Sequence, residues 1–250
     1  MDKQKAYRDP ELQSKKDEVE IQGLSELLKK NSEESDFNKI DNFTKYCQES
    51  TISRFIFRFE VYKKQLNVPG VILDFGVGRG ASLFTWAKLT EIFEPINYTR
   101  EIFGFDTFKG VMSHSQERDR SKKTSYSIFN SNFSNISNAI KVFDSNRKLS
   151  HIKKIHLYKG DVTKTLSKFE KENKHALVSL LHLDLDIYKP TKKIMKSIIK
   201  KMPKGSIILF GQLNTRLYPG ETLAFLEEMD IKEKNIQRSP YCTTMAYLII

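Results

Sequence analysis

Three glycines at alternate positions, Gly76, Gly78 and Gly80, follow an apolar run that ends in Asp74 and Phe75. Glycine lacks a Cβ atom, so the backbone can turn sharply there and a ligand can approach it closely. An apolar helical pattern begins directly afterwards, and the free N–H groups at the start of a helix bind anionic groups. The stretch predicts a loop that holds a nucleotide-type cofactor, although the same glycine spacing also satisfies the dinucleotide fingerprint.

Acidic residues follow two further apolar runs. Asp106 comes directly after Ile102–Phe105, where the carboxyl end of a strand would let it accept hydrogen bonds from a ribose diol. Its spacing from the glycines favours this role over that of an ordinary loop acid. Asp184 and Asp186 end the apolar run 176–185, and period-two alternation points both side chains the same way. Two like charges so close need a cation, a hydrogen-bonding substrate or a shared proton, which makes the pair a candidate site.

The elements that would position these residues alternate between strand and helix from about residue 71 onwards. Such alternation is typical of βαβ units, in which the carboxyl ends of parallel strands meet at one edge of the sheet. The sequence therefore predicts an α/β fold with a doubly wound, mostly parallel, seven-stranded, Rossmann-like sheet. The predicted strands are 71–75, 102–105, 154–158, 176–185, 206–210, 235–237 and 244–250.

The chain is predicted to carry an extension before this sheet. Residues 1–35 are dense in charged residues and serine, which predicts a flexible, partly helical N-terminal extension. Residues 36–250 are expected to form the Rossmann-like domain, with 36–69 as its helical lead-in. Residues 111–150 interrupt the alternation with a polar segment, which is either a candidate lid beside the cofactor crevice or an inert surface excursion.

Composition favours a soluble globular protein. The 250 residues, 39% of them hydrophobic, are enough for one α/β domain with an appendage, and no uncharged apolar run is long enough to span a bilayer. Cys47 and Cys242 show no pairing or metal spacing, which favours a reduced, cytoplasmic setting. The net charge of +11 raises the alternative of a nucleic-acid partner, but Lys189, Lys193 and Lys196 recur at helical spacing, which favours a solvated helix face. Neither nucleic acid nor membrane is therefore expected as a partner, and a homo-oligomer stays open.

Four blocks follow one another along the chain: Asp74-Phe-Gly-Val-Gly-Arg-Gly-Ala-Ser82, Gly104-Phe-Asp-Thr-Phe-Lys-Gly110, Gly160-Asp-Val-Thr-Lys-Thr-Leu166 and His182-Leu-Asp-Leu-Asp-Ile-Tyr-Lys-Pro-Thr191. Together they resemble a class I S-adenosylmethionine-dependent methyltransferase of the macrocin O-methyltransferase family. The second block is much more specific than the glycine loop and argues against a dehydrogenase. The resemblance covers the chain from about Thr51 to its end. It implies S-adenosylmethionine as cofactor and, as acceptor, a hydroxyl of a small molecule such as a sugar or glycosylated natural product.

The resemblance also implies which residues bind the cofactor. The glycines and Ser82 would hold its amino acid part, and Asp106 would bind its ribose. Thr107 and Phe108 would flank the ribose, and Asp161 would meet the adenine edge. Asp184 would lie at the methyl-transfer end. The full set, with the acid that precedes the glycines, is Asp74, Gly76, Gly78, Gly80, Ser82, Asp106, Thr107, Phe108, Asp161 and Asp184.

Asp186 is the predicted catalytic base, because methyl transfer to a weakly acidic hydroxyl needs a proton acceptor. The predicted acceptor contacts on adjoining loops are Tyr188, Gln212, Arg216 and Tyr218. In the family, two adjacent aspartates after the fifth strand join the acid matching Asp186 in holding a divalent cation. Here those positions are Gly211 and Gln212, and the loss of two carboxylates argues against Mg²⁺ binding through Asp186.

Three alternatives stay open beside the O-methyltransferase. The lost acids allow a methyltransferase-fold protein without transfer activity that serves as a binding subunit. Related sequences with a similar acidic block are sugar or antibiotic hydroxylases. Nucleic-acid methylation ranks last, because amino-directed enzymes place Asn or Asp before Pro-Pro and an aromatic residue where this chain has Asp184-Leu-Asp-Ile-Tyr188.

Overall fold

The structure is a computed structural model that describes residues 14–31, 33–110, 117–119 and 132–250. The chain divides into two compact units, Met1–Ile56 and Phe57–Ile250. The helices are α1 (Lys15–Lys30), α2 (Asp36–Asp41), α3 (Glu49–Lys64), α4 (Ala81–Phe93), α5 (Phe133–Ser145), α6 (Val162–Glu172), α7 (Tyr188–Ile198) and α8 (Gly220–Glu228). The strands are β1 (Val71–Phe75), β2 (Ile102–Asp106), β3 (Ile155–Lys159), β4 (Val178–Leu183), β5 (Ile207–Phe210), β6 (Ile236–Arg238) and β7 (Ala246–Ile249).

The first unit is helical in its described part. Helix α1 begins with a capping box, in which the Ser14 hydroxyl accepts from the Asp17 N–H and the Asp17 carboxylate accepts from the Ser14 N–H. Neither α1 nor α2 buries any residue. The predicted extension is therefore helical over α1, while residues 1–13 lie outside the described residues. The boundary at residues 35 and 36 stays a prediction, since the two compact units divide inside α3 instead.

The second unit contains one seven-stranded sheet in the order β3-β2-β1-β4-β5-β7-β6. Strands β1 to β5 are parallel, β7 is antiparallel to β5, and β6 is antiparallel to β7. The predicted α/β fold with a mostly parallel, seven-stranded sheet is confirmed. The strand order reverses between β1 and β4, and ligands of doubly wound folds bind at such a point, outside the carboxyl ends of the strands.

Helices cover both faces of the sheet, which explains why its central strands read as continuous apolar runs. Every residue of β1, β4 and β5 is buried. On one face, Phe169 of α6, Ile194 of α7 and Phe225 of α8 belong to the same apolar cluster. On the other face, Trp86 of α4 and Ile140 of α5 belong to the second cluster. This two-sided core fixes the strand ends that border the crevice.

The end of β4 differs from the prediction. The strand stops at Leu183, two residues before the predicted end of 176–185, and α7 starts at Tyr188. Asp186 lies in the connecting turn with φ of +62°, in the left-handed region. The prediction that strand alternation orients Asp184 and Asp186 is therefore wrong, because a tight turn orients them instead.

The long connection from β2 to α5 contains most of the candidate lid at 111–150. Helix α5 occupies part of that range and buries Ile136, Ile140 and Phe143. Residues 111–116 and 120–131 lie outside the described residues, so the lid stays a prediction.

Helix α7 has the two faces that its sequence predicts. Ile194 and Ile198 are fully buried, whereas three lysines of α7 and one that follows the helix are exposed to solvent. The exposed set is Lys189, Lys193, Lys196 and Lys200. Among the described residues, no helix is both long and apolar enough to cross a membrane. Cys47 and Cys242 are free thiols, as their spacing predicts.

A buried ion pair lies at the amino edge of the sheet. The Arg100 side chain is 3% exposed, and its Nε donates to the Glu94 carboxylate at 3.1 Å. Its Nη1 atom also donates to the carbonyls of Val68 and Gly70, which precede β1. Burial opposes ionisation of Glu94, but hydrogen bonds from Arg100 and Tyr62 outweigh it, so the pKa of Glu94 is lowered. The cluster ties three chain segments together through satisfied charges.

Candidate active site

The loop between β1 and α4 carries the three glycines and faces the crevice. Gly76 has φ of +93°, and a Cβ atom there would overlap the backbone carbonyl of Asp184. Gly76 therefore lets the loop lie directly against the turn that follows β4. The Gly78 N–H donates to Asp106 at 2.7 Å, which joins the loop to the end of β2. The glycine loop, Asp106 and Asp184 are thus neighbours, as the sequence predicts.

Asp106 is held at the end of β2 by two backbone amides. Its Oδ2 accepts from the Gly78 N–H at 2.7 Å, and its Oδ1 accepts from the Phe108 N–H at 2.6 Å. Burial raises the pKa of this carboxyl, although the two amide bonds act in the opposite direction. Each carboxylate oxygen keeps a second lone pair, so the group can accept hydrogen bonds from two neighbouring hydroxyls. That geometry suits a ribose diol.

Thr107 and Phe108 build the turn beside Asp106. The Thr107 hydroxyl donates to the Gly110 carbonyl at 2.6 Å, which closes the turn. Phe108 has φ of +56° and is buried, with its ring edge-on to Phe133 at 5.1 Å between centroids. Both residues therefore lie next to Asp106, and their place beside a ribose stays a prediction.

Asp74 and Ser82 lie beneath the loop. The Ser82 hydroxyl donates to Asp74 Oδ2 at 2.8 Å, and Asp74 Oδ1 bonds Nδ1 of His182. The side chains of Asp74 and His182 are both fully buried. These contacts join β1, the start of α4 and β4 below the glycines. Asp74 and Ser82 thus support the loop from inside, and direct contact of either residue with the cofactor stays a prediction.

Asp161 caps α6 at the end of β3. Its Oδ1 accepts from the Thr163 N–H at 2.8 Å. The preceding Gly160 N–H donates to the Asp106 carbonyl at 2.9 Å. Asp161 is therefore placed at the strand end next to Asp106, on the side away from the glycine loop, where an adenine extending from the ribose would reach.

Three carboxylates meet beyond the ends of β4 and β5. Asp184, Asp186 and Glu221 each place an oxygen within 4.8 Å of the others. Glu221 is fully buried at the start of α8. Its Oε1 accepts from the N–H groups of Leu185 and Asp186, at 3.0 and 3.2 Å. Burial raises the pKa of Glu221 well above its usual range, and the charges of Asp186 and Asp184 add to the rise.

Sequence reasoning missed Glu221. The residue lies in the segment Pro219-Gly220-Glu-Thr-Leu-Ala-Phe225, which follows the four blocks that carry the resemblance. Glu221 also accepts from the Gln212 N–H at 3.0 Å through Oε2, so it joins the turn after β4 to the end of β5. The available signal was an acid at the start of a short, largely apolar helix, where buried charge calls for a specific reason.

Gly211 explains how Asp184 fits between these segments. A Cβ atom at Gly211 would collide with Oδ1 of the Asp184 carboxylate. The Asp184 side chain therefore occupies space that any side chain at position 211 would need. Gln212 is half-buried beside it and uses its N–H for Glu221.

The donor set suits a hard divalent cation. Three carboxylate oxygens within 4.8 Å of one another are the ligand type that Mg²⁺ and Mn²⁺ prefer. Glu221 restores one of the two acids missing at positions 211 and 212. With Asp184 and Asp186, Glu221 brings the number of carboxylates in this cluster to three.

Tyr188 has a different place from the one predicted. Its ring is 8% exposed and belongs to the apolar core. The Arg118 guanidinium lies over the ring, 4.5 Å from its centroid, and the hydroxyl donates to Glu227. The side chain is thus covered on the α8 side and packs against the core, and an acceptor contact by Tyr188 stays a prediction.

The remaining predicted acceptor contacts lie on the loop between β5 and α8. Arg216 is exposed, Gln212 is half-buried and Tyr218 is 7% exposed. The loop begins next to Asp184 and ends next to Glu221, so it borders the carboxylates. Acceptor binding by these three residues stays a prediction.

The chain matches a family model described as macrocin-O-methyltransferase (TylF) over residues 60–233. Among solved structures, it is similar to CalS11, a calicheamicin methyltransferase, with 27% identity, 98% of each chain covered and a TM-score of 0.88. An apo structure of CalS11, described as a TDP-rhamnose 3'-O-methyltransferase, matches with 28% identity, 95% of each chain and a TM-score of 0.82. The O-methyltransferase NovP shares the fold, with 15% identity, 79% of each chain and a TM-score of 0.60. No curated protein matches the sequence.

Proposed function

The chain belongs to the macrocin-O-methyltransferase (TylF) family and is a methyltransferase, and we propose that it moves the methyl group of S-adenosylmethionine to a hydroxyl of a sugar. The observation that carries the proposal is the meeting of the glycine loop, Asp106 and the three carboxylates at the carboxyl ends of β1, β2 and β4. A cofactor held by the first two would extend towards the third.

Cofactor binding is the first part of this proposal. The loop at Gly76–Gly80 and the N-terminus of α4 would receive the amino acid part, and Asp106 would accept hydrogen bonds from both ribose hydroxyls. Asp161 would meet the adenine edge. Asp74 and Ser82 would act from below, by holding the loop in shape. Methyl transfer is an in-line displacement from a sulfonium, so the main contribution of these groups is alignment.

Asp186 is the proposed base. It lies in the turn after β4, which Gly76 brings into contact with the cofactor loop. As oxygen attacks the methyl carbon, its O–H bond breaks and the proton passes to the Asp186 carboxylate, while the cofactor leaves as a neutral thioether. A positioned base contributes roughly 10²–10⁴-fold to such a step.

A divalent cation is the family's further component, and we propose that Asp184, Asp186 and Glu221 are the residues that would hold it here. When bound, such a cation lowers the pKa of the acceptor hydroxyl. Titration of the wild type with Mn²⁺, followed by the electron paramagnetic resonance of the free ion, tests this without activity. We expect one bound ion that is lost in Asp186→Asn and retained in Asp161→Asn. Equal binding by both variants, or none by the wild type, would reject the ligand set.

The acceptor is proposed to be a small sugar-containing molecule. CalS11, which matches along nearly its whole length, is described as acting on TDP-rhamnose, and the family takes its name from macrocin. These two compounds therefore begin the acceptor panel. The hydroxylase alternative predicts that product formation needs oxygen and iron in place of S-adenosylmethionine. The binding-subunit alternative predicts that no methylated product forms.

Calorimetry with S-adenosylmethionine is the test of the cofactor site. We expect saturable binding by the wild type and a loss of roughly tenfold to a hundredfold in Asp106→Ala, since hydrogen bonds to charged groups contribute about 1.5–3 kcal/mol. Gly78→Val is expected to abolish binding, because the loop conformation has φ of +53° at that residue. Lys196→Ala, on the exposed face of α7, is the matched control. Unchanged affinity for S-adenosylmethionine in both Asp106→Ala and Gly78→Val would reject the proposal.

A further inference from the structure

We propose that Asp119 is a positioning residue for methyl transfer, which fixes the turn that carries Asp186 through the start of α7. The inference rests on the proposed function, because it names how the base is held. Asp119 is 5% exposed, and its Oδ1 accepts from the Tyr188 N–H at 2.6 Å. The two residues are 69 positions apart in sequence, so this is a tertiary contact.

The contact supplies a cap that α7 lacks locally. Ile187 occupies the N-cap position of α7 and makes no capping hydrogen bond through its side chain. The first N–H groups of a helix have no partner within the helix, and an acidic side chain there is favourable for the helix dipole. Asp119 therefore does for α7 what a local serine or aspartate does for other helices.

The same turn is held from its other side by Glu221. That carboxylate accepts from the N–H groups of Leu185 and Asp186. Two buried carboxylates from distant parts of the chain thus hold three amides of the turn, at residues 185, 186 and 188. Asp186 has φ of +62°, a conformation that costs energy for a non-glycine residue and persists only where its surroundings impose it.

Close packing around Asp119 supports a fixed geometry. A Cβ atom at Gly220 would lie 2.5 Å from Asp119 Oδ1 and 2.5 Å from the Tyr188 nitrogen. Only glycine at the start of α8 leaves room for this hydrogen bond. The next residue is Glu221, so the residue that lies against Asp119 directly precedes the second carboxylate that holds the turn.

Arg118 provides a natural control beside Asp119. Its guanidinium forms an ion pair with Glu227 and covers the Tyr188 ring, with side-chain exposures of 44% and 36% for the two ions. It holds the same segment against α7 and α8 without touching the backbone of the turn. Loss of Arg118 therefore tests how the segment 117–119 packs against α7 and α8, whereas loss of Asp119 tests the hydrogen bond from the Tyr188 N–H.

The experiment compares Asp119→Ala, Asp119→Asn and Arg118→Ala in the whole chain. In Asp119→Ala we expect kcat for methyl transfer to fall roughly tenfold to a hundredfold, as for a lost hydrogen bond to a charged group, with S-adenosylmethionine affinity within about twofold of wild type. Asp119→Asn keeps an accepting oxygen and should recover most of that loss. Arg118→Ala should keep kcat within about threefold, since its ion pair is exposed.

A readout that needs no activity accompanies the kinetics. Hydrogen exchange at the Tyr188 amide should speed up in Asp119→Ala and stay near wild type in Asp119→Asn. Wild-type kcat in Asp119→Ala, an equal loss in Arg118→Ala, or unchanged exchange at Tyr188 would overturn the inference. Should Asp119→Ala fail to fold, Asp119→Leu, which keeps the approximate size of the side chain and removes its accepting oxygens, must show the kcat loss instead. Failure of the proposed function would appear separately, as absent transfer by the wild type.

Discussion

Charged residues are arranged in opposite ways at the two ends of the strands, which are called here the amino edge and the carboxyl edge of the sheet. At the amino edge, Arg100 and Glu94 pair opposite charges, and the pKa of Glu94 is lowered. At the carboxyl edge, Asp184, Asp186 and Glu221 bring like charges together, and the pKa of Glu221 is raised. In the first arrangement each charge has a partner of opposite sign, so loss of one partner would leave the other buried and uncompensated, whereas the second places like charges together, which is common at functional sites. We therefore expect substitutions at the amino edge to act mainly on stability and those at the carboxyl edge to act mainly on methyl transfer.

The largest expected effect on stability lies at the amino edge. Arg100→Met leaves Glu94 buried without its cation and removes bonds to the carbonyls that precede β1. We expect the free energy of unfolding to fall by about 3–5 kcal/mol, as for other broken buried pairs. Urea denaturation measures it. A loss below about 1 kcal/mol would mean that this edge does not have the stabilising role given to it.

The next effect lies at the carboxyl edge, where Gly211→Ala pushes a methyl group into the Asp184 carboxylate. We expect a stability loss of about 1–3 kcal/mol from overpacking. Methyl transfer should fall roughly a hundredfold, since displacements of about 1 Å have that effect in active sites. Gly23→Ala, in α1 with nothing within 4 Å of the new methyl, is the control and should keep full activity. Transfer at the wild-type rate in Gly211→Ala would show that Asp184 need not lie there.

A smaller, pH-dependent effect concerns Asp106. Its pKa is raised above the usual aspartate range by burial, so the carboxylate takes up a proton at a higher pH than an exposed aspartate. S-adenosylmethionine affinity should therefore fall as the pH drops through this raised pKa. Stability should change in the opposite direction, because a raised folded-state pKa means that protonation favours the folded chain. Calorimetry and urea midpoints between neutral and acidic pH measure the two trends.

Asp106→Asn is the control for these trends. Its amide does not titrate in this range, so the pH dependence of the affinity should flatten, and the stability trend should lose only the contribution of Asp106. An affinity for S-adenosylmethionine that still falls with pH in the variant would assign the effect to another group.

The smallest effect is expected on the exposed face of α7. Lys196→Glu reverses a charge on a solvated helix surface, so stability should change by less than about 0.5 kcal/mol and transfer should not change. Nucleic-acid affinity, measured by fluorescence anisotropy at low salt, should be weak in both proteins. Tight, salt-dependent binding that this variant abolishes would revive a nucleic-acid substrate.

The sequence predicted the sheet because its strands are buried on both faces and read as long apolar runs. It also predicted the neighbours Gly76, Gly78 and Asp106, since consecutive parallel strands place their carboxyl ends together. It could not predict the roles of Glu221 and Asp119. Both make tertiary contacts to the turn 184–188, which spacing along the sequence does not reveal, and the only local sign is that the acid Glu221 lies at the start of a largely apolar helix.

The predicted role of Tyr188 shows the same limit. The sequence predicts Tyr188 as an acceptor contact on a loop next to Asp186, whereas it is the first residue of α7. The start of α7 turns that side chain towards Glu227 and the core. The N–H of Tyr188 donates to Asp119, 69 positions away in the sequence, so no local pattern indicates how this helix start is held.

The most direct test of the central claim compares the wild type with Asp186→Asn for transfer of an isotope-labelled methyl group. With labelled S-adenosylmethionine and TDP-rhamnose or macrocin as acceptor, mass spectrometry should detect label on a sugar hydroxyl. Asp186→Asn should lower that rate roughly 10²–10⁴-fold while S-adenosylmethionine affinity, measured by calorimetry, stays within about twofold. Label transfer by the variant at close to the wild-type rate would contradict a base at Asp186, and its absence in the wild type would contradict the proposed function.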